Sequence, residues 1–170
     1  MKQEAKLTIR PAELMDGDAV WSVLEPVFRA GETYTFPADA TREESLSYWF
    51  SEQHEVFISE SIVDNETHVV GTYFLMANQS GGGAHVANCG YVTAPSATGR
   101  GVAQAMLEHS LVRARDRGFR SMQFNFVISS NDRAVKLWQR NGFEIVGTLP
   151  GAFLHPKLGY VDAYVMYRNL

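Results

Sequence analysis

One cysteine, Cys89, stands among the 170 residues, so no internal disulfide can form and a reducing compartment is the expected setting. The five histidines, His54, His68, His85, His109 and His155, make no HxxxH pair, and a lone cysteine excludes CxxC, so no metal site is expected. No apolar run approaches the roughly 20 residues of a membrane span. The opening MKQEAKLTIRPAE is charged where a secretory leader would be apolar. Basic excess is missing too: 15 Lys and Arg against 19 Asp and Glu give a net charge of −4, which argues against a nucleic-acid partner. The one basic cluster, Arg113 to Arg120, reads as the solvated last turn of a helix, where cations suit the dipole. What remains is a cytoplasmic chain with no membrane or nucleic-acid partner, 45% apolar and sized for one domain over 1–170.

The pattern along the chain alternates between strand and helix. Leu7 to Arg10 reads as a strand, and Asp16 to Ala30 as a helix interrupted by Pro26. Thr41 and Glu44 form a capping box that opens a second helix through Phe50. Glu55 to Ile62 and His68 to Met76 read as a hairpin turning at Asp64-Asn65, and Gly81-Gly82-Gly83 as a flexible loop. A strand from His85 to Thr93, a helix from Gly101 to Arg117 and a strand from Ser121 to Ile128 follow. Ser130 or Asn131 caps a short helix to Asn141. Strands at Phe143 to Thr148 and Tyr160 to Tyr167 close the set, separated by a Gly/Pro-rich loop. The order predicts an α/β fold with a mixed sheet and helices packed on it.

The most informative stretch runs from Val92 to Leu107, where an apolar run meets a glycine-rich turn opening straight into a helix. Gly99 and Gly101 permit positive φ and close backbone approach, while the first helical turn aims unpaired N–H groups at whatever sits in the loop. Arg100 adds a charge-assisted donor. From these residues alone, a phosphate site and a tight turn without ligand stand level. Asn88 and Asn125 lie in apolar strands, where Asn is depleted, so each is either a satisfied polar residue or a functional one.

The turn Thr98-Gly-Arg-Gly-Val-Ala103 and the run Asn131 to Phe143, together with the element order, resemble the GNAT superfamily of acyl-CoA-dependent N-acyltransferases. That resemblance implies a mixed, mostly antiparallel sheet of about seven strands with about four helices on its faces. It also implies acetyl-CoA as co-substrate, no metal, direct acetyl transfer to an amine, and pairing of two subunits through the C-terminal strands. Thr98, Gly99, Arg100, Gly101, Val102 and Ala103 match the pyrophosphate turn, Tyr91, Val92 and Thr93 the strand along the pantetheine, and Asn131 a polar contact to the cofactor arm. Two positions depart from the pattern. Thr98 stands where the family usually has Gln or Arg, and Trp138 where a Tyr usually protonates the leaving thiolate; an indole N–H donates but does not ionise usefully. Trp138 is expected mainly to pack, with any contact to the thioester secondary.

Within the superfamily, Ala87 to Tyr91, Phe124 to Val127 and Asn131 resemble the yeast L-azetidine-2-carboxylate acetyltransferase type, which acetylates proline-like amino acids and also carries Trp at the Tyr position. That likeness implies Asn88 beside the substrate amine, and Asn125 with Phe126 offering main-chain groups to its carboxylate. Glu32, Tyr34 and Phe36 fall where such proteins place part of the acceptor pocket. Glu32 and His155 are reserve candidates for a base or anchor, set against ordinary loop placement. The expected activity is N-acetylation of a small molecule, with a protein N-terminal or lysine acetyltransferase, or a non-catalytic acyl-CoA-binding module, as alternatives.

Overall fold

The computed structural model describes residues 7–63 and 65–170. Seven strands form one sheet in the order β1-β2-β3-β4-β5-β7-β6. They are β1 (Leu7–Pro11), β2 (Glu55–Val63), β3 (Glu66–Ala77), β4 (Val86–Thr93), β5 (Ser121–Ile128), β6 (Glu144–His155) and β7 (Gly159–Asn169). All neighbours are antiparallel except β4 and β5. Four α-helices pack on it: α1 (Gly17–Ala30), α2 (Arg42–Trp49), α3 (Val102–Asp116) and α4 (Asp132–Arg140). This is the α/β architecture the sequence predicted.

Local chemistry explains the helix boundaries. Thr41 Oγ1 accepts from Glu44 N–H at 3.2 Å while Glu44 Oε2 accepts from Thr41 N–H at 2.8 Å, which closes the predicted capping box on α2. Pro26 does not interrupt α1. It lies on the exposed side of the helix, so its missing N–H forfeits one solvent-facing bond while Val20, Val23, Leu24 and Phe28 keep the buried face in register. The basic cluster at the end of α3 is not simply solvated, since Arg113 and Arg117 grip Glu55 of β2 at 2.6 and 2.5 Å.

Two expectations for loops are revised. Gly81–Gly83 forms a single 3-10 turn, closed by Ala84 N–H on Gly81 O at 3.1 Å. The stretch after Thr148 is not a loop: β6 continues to His155, with a bulge between Leu149 and Phe153 that absorbs Pro150. An edge strand tolerates proline because its outer N–H groups need no partner. Gly151 turns through φ +56° there, and its N–H reaches Asp162 Oδ1 at 2.8 Å. Of the predicted hairpin turn, Asp64 lies outside the described residues and Asn65 takes φ +64°.

Alternation sorts the side chains onto two faces. On one, Trp49 of α2 donates its Nε1–H to Thr72 Oγ1 at 3.0 Å and meets Phe74 edge-on at 5.0 Å. On the other, Tyr73 pairs with His109 of α3 at 2.6 Å, Tyr91 with Ser110 of α3 at 2.7 Å, and Phe124 packs on Trp138 of α4 at 4.9 Å. Even-numbered residues of β4, and of β3 beyond its bulge opposite Ser59 and Glu60, therefore face α1 and α2, and odd-numbered ones face α3 and α4.

Candidate active site

The parallel strands β4 and β5 part company almost at once, pairing only at Val86↔Ser121 and Ala87↔Met122. Asn78 N–H bonds Val86 O at 2.8 Å, and Ala94 N–H bonds Val70 O at 2.8 Å. In an antiparallel ladder these fix the even-numbered residues of β4 as those bonded to β3. The main-chain groups of Cys89, Tyr91 and Thr93 consequently point at β5, which has moved away. Val92 belongs to the other set: its main chain bonds β3 and its side chain is buried in the core.

At the mouth of this gap the chain makes the glycine-rich turn. Gly99 and Gly101 adopt φ +79° and +81°, and a Cβ at either would meet nothing within 4 Å, so a side chain there would fill open space rather than strike protein. The first bond of α3 runs from Ala105 N–H to Gly101 O at 3.0 Å. It leaves the amides of Gly101, Val102, Ala103 and Gln104 without a backbone acceptor among the described residues. No side chain among the described residues caps the helix. Buried Val102 anchors its first turn, which comes close to β3 because residue 71 is glycine: a Cβ there would sit 2.9 Å from Val102 Cγ1. Thr98 and Arg100 are exposed beside the free amides. Positive dipole end, free N–H groups, guanidinium and an open cradle suit a diphosphate.

Asn88 sits in the crotch of the gap. Its Nδ2 donates to Gln123 O at 3.0 Å, one residue beyond the last ladder pair. That bond settles the amide orientation, because only the nitrogen can donate to a carbonyl, so Oδ1 is the free end. On β5, Asn125 and Phe126 bulge out together opposite Val165, since Phe124 pairs with Met166 and Val127 with Tyr164. The Asn125 side chain is exposed and satisfied: it donates to Asn78 Oδ1 at 2.7 Å and accepts from Gln123 Nε2 at 2.8 Å. Phe126 is half-buried.

The face toward α3 and α4 is aromatic. Trp138 is buried between Tyr91 at 5.2 Å and Phe124 at 4.9 Å, and its indole N–H finds no protein acceptor among the described residues. Burial pushes the Cys89 thiol up to about 12, which keeps it an inert small hydrophobe. Asn131 caps α4 by accepting from Ala134 N–H at 3.4 Å, and its amide nitrogen has no partner among the described residues.

The face toward α1 and α2 holds the other candidates. Tyr34 and Phe36 pack on Phe28 at 5.3 and 4.8 Å. The Tyr34 hydroxyl is pressed onto Gly90 of β4; a Cβ there would strike it and lie 2.5 Å from Phe74 Cε1. Burial raises the Tyr34 phenol well above its ordinary range, so it stays protonated. Glu32 pairs with Lys157 at 2.5 Å, and the ammonium holds its carboxyl below the usual range. Gly90 and Lys157 carry site geometry that sequence reasoning passed over. A glycine inside a strand does signal close approach, whereas nothing local ties residue 157 to residue 32.

Comparison with known proteins gives the family. The sequence profile of the acetyltransferase (GNAT) family matches residues 19–143, and the chain belongs to that family: it is an N-acetyltransferase by class. It is similar to a GCN5-related N-acetyltransferase from Kribbella flavida, with 39% identity over 96% of this chain and 98% of that one and a TM-score of 0.89. It is also similar to N-acetyltransferase aca1 of Schizosaccharomyces pombe, 27% identical over 79% of this chain and 71% of that protein. A phosphinothricin acetyltransferase from Sinorhizobium meliloti, solved in complex with AcCoA, shares the fold at 19% identity, with a TM-score of 0.81 over 99% of this chain and 89% of that one. Among the described residues, no group of three His, Cys, Asp or Glu is placed to hold a metal. No helix among them is long and apolar enough to cross a membrane.

Proposed function

We propose that the protein transfers acetyl directly from acetyl-CoA to the amine of a small molecule, and that the acceptor is an amino acid, with proline-like ones the first to try. One observation carries this reading: the gap between β4 and β5, with an unpaired strand edge on one side and a turn of free amides at its mouth. A pyrophosphate lies on Gly99 to Ala103 with Arg100 and Thr98 beside it, and the main chain of Tyr91 and Thr93 pairs with the pantetheine arm in place of β5. Val92 packs, and Asn131 reaches the arm with its free amide nitrogen. Bound acetyl-CoA supplies the activated acyl group. The solved Sinorhizobium meliloti relative carrying AcCoA supports the choice of co-substrate.

The amine enters from the opposite face. An amine of pKa near 10 is about 0.1% neutral at pH 7, a cost of roughly 4 kcal/mol at about 1.36 per unit. Asn88 Oδ1 accepts an N–H from that amine and aims its lone pair, while Tyr34, Phe36 and Phe126 make the surroundings apolar and disfavour charge. Asn125 holds the β5 bulge through Asn78, so that the main chain at Asn125 and Phe126 borders the acceptor. Orientation and desolvation then do the catalytic work. Trp138 packs and takes no proton-transfer role. Trp138→Phe is accordingly expected to keep kcat within about 10-fold, with a few degrees lost in Tm from the smaller ring. Loss of kcat by orders of magnitude at unchanged acetyl-CoA affinity would overturn that role.

The chain is proposed to work in the cytoplasm as a homodimer. Val146, Leu154, Leu158 and Tyr160 expose 58, 62, 62 and 77% of their surface along the β6–β7 ribbon, which supports pairing there. The deciding experiment screens amino acids, other amines and peptides for acetyl-CoA-dependent release of CoA thiol. Release with free amino acids is expected. Turnover confined to peptides would replace the reading by protein acetylation, and tight acetyl-CoA binding without turnover by a sensing module.

A further inference from the structure

The β6–β7 ribbon reaches past the end of β5 and carries an unspent set of polar groups. Cross-strand register gives their face. Phe124 packs on Trp138 and so faces α4, which turns its neighbour Gln123 to the α1 and α2 side; Gln123 lies opposite Tyr167 of β7, so odd-numbered residues of β7 face α1 and α2. His155 lies opposite Gly159, and Phe153 opposite Val161, on that same face. Both are buried, whereas Leu154 between them is 62% exposed. His155 is therefore on the acceptor side of the sheet, packed edge-on to Phe153 at 6.4 Å.

The hydrogen bonds of that ring give its tautomer. Nδ1 accepts from Lys157 N–H at 3.1 Å and from Leu158 N–H at 3.3 Å, so the neutral ring carries its proton on Nε2. This Nε2–H has no acceptor among the described residues, and its nitrogen is not one of the fully buried unpartnered polar atoms there, so it opens to solvent from a ring that is otherwise buried. A donor held in place by a buried ring and facing solvent is placed to meet a ligand oxygen. Two residues on, the Lys157 ammonium meets the Glu32 carboxylate at 2.5 Å. A carboxylate is thus already drawn to this corner by a contact spanning 125 residues of chain.

We propose that His155 Nε2–H and Lys157 Nζ together bind the carboxylate of the acceptor amino acid, and that Glu32 is the internal carboxylate it displaces from Lys157. The inference rests on the amine-acetylating reading above and deepens it: the substrate must carry an acid as well as an amine. It also separates two duties. Asn88 holds the nitrogen at the crotch of β4 and β5, and the ribbon holds the acid.

The test uses matched acceptors, each amino acid beside its carboxamide, with L-proline and L-prolinamide included. Wild type should prefer the acid by about 10-fold or more in kcat/KM, the usual scale for a charge-assisted pair. His155→Phe and Lys157→Met should each erase most of that preference by raising KM for the acid far more than for the amide, with KM for acetyl-CoA unchanged. His155→Gln, which restores an N–H donor near the Nε2 position, should recover part of it. Equal use of acid and amide by wild type overturns the proposal, as does an acid preference that survives both variants, since the main chain at the β5 bulge would then be reading the carboxylate. If no acceptor gives CoA release, the reading of the reaction fails separately and binding decides this one. The His155 Nε2–H resonance of the CoA-bound protein must then move with the amino acids and not with their amides; a signal unmoved by every acid overturns it.

Discussion

Gly101→Val is expected to weaken acetyl-CoA binding by about 100-fold or more, at least 2.7 kcal/mol, while the chain still folds. The residue turns through φ +81°, and its missing Cβ faces open space at the foot of α3. A branched side chain there costs about 1–2 kcal/mol in backbone strain, or a few degrees in Tm for a domain of this size. The larger effect is on the ligand. Two methyl groups would occupy the volume in which phosphate oxygens approach the amides of Gly101 to Gln104, and each charge-assisted bond so lost is worth about 1.5–3 kcal/mol.

A control separates strain from site. Gly118 has nearly the same φ, +80°, with nothing within 4 Å of an added Cβ, at the opposite end of α3. Gly118→Val should lose similar Tm and bind acetyl-CoA as wild type does. Titration calorimetry on both variants decides: equal affinity in folded Gly101→Val would remove the turn from the cofactor site, and equal losses in the two would assign the effect to strain.

The elements legible in the sequence were those specified by neighbours in the chain. The Thr41–Glu44 box, the Asn131 cap and the glycine-rich turn at the head of α3 all depend on residues within a few positions, and the structure has them where the spacing put them. Pro26 and Pro150 misled because proline is read as a breaker. Its true cost depends on whether the lost N–H faced solvent, which only the packed helix and the edge position of β6 determine.

The site was legible as residue types and not as geometry. Asn88 stood out because an amide in an apolar strand must find partners, yet its partner is the main-chain oxygen of Gln123, which no side-chain pattern reports. The divergence of β4 from β5 is likewise invisible along either strand; it lives in the register between them. Glu32 read as an ordinary loop carboxylate until folding brought Lys157 to it.

Asn88→Ala is expected to lower kcat/KM for the true acceptor by about 10- to 1000-fold, roughly 1.4–4 kcal/mol, with acetyl-CoA affinity little changed. Two losses contribute. The amine loses the acceptor that aims its lone pair, and Gln123 O loses the Nδ2–H that ties β5 to β4 where the ladder stops. The second is structural and should cost about 1 kcal/mol of stability, so Tm must be measured beside the kinetics. Asn88→Asp distinguishes the two. A carboxylate keeps an oxygen for the amine but cannot donate to Gln123 O, and its charge stabilises the ammonium form of the substrate. Activity should therefore survive in part while its pH profile moves to higher pH, because the amine must lose its proton against a nearby negative charge. Full kcat/KM in Asn88→Ala would remove the residue from the acceptor site. A loss in Asn88→Ala that matched its fall in folded fraction would leave Asn88 only as the tie between two strands.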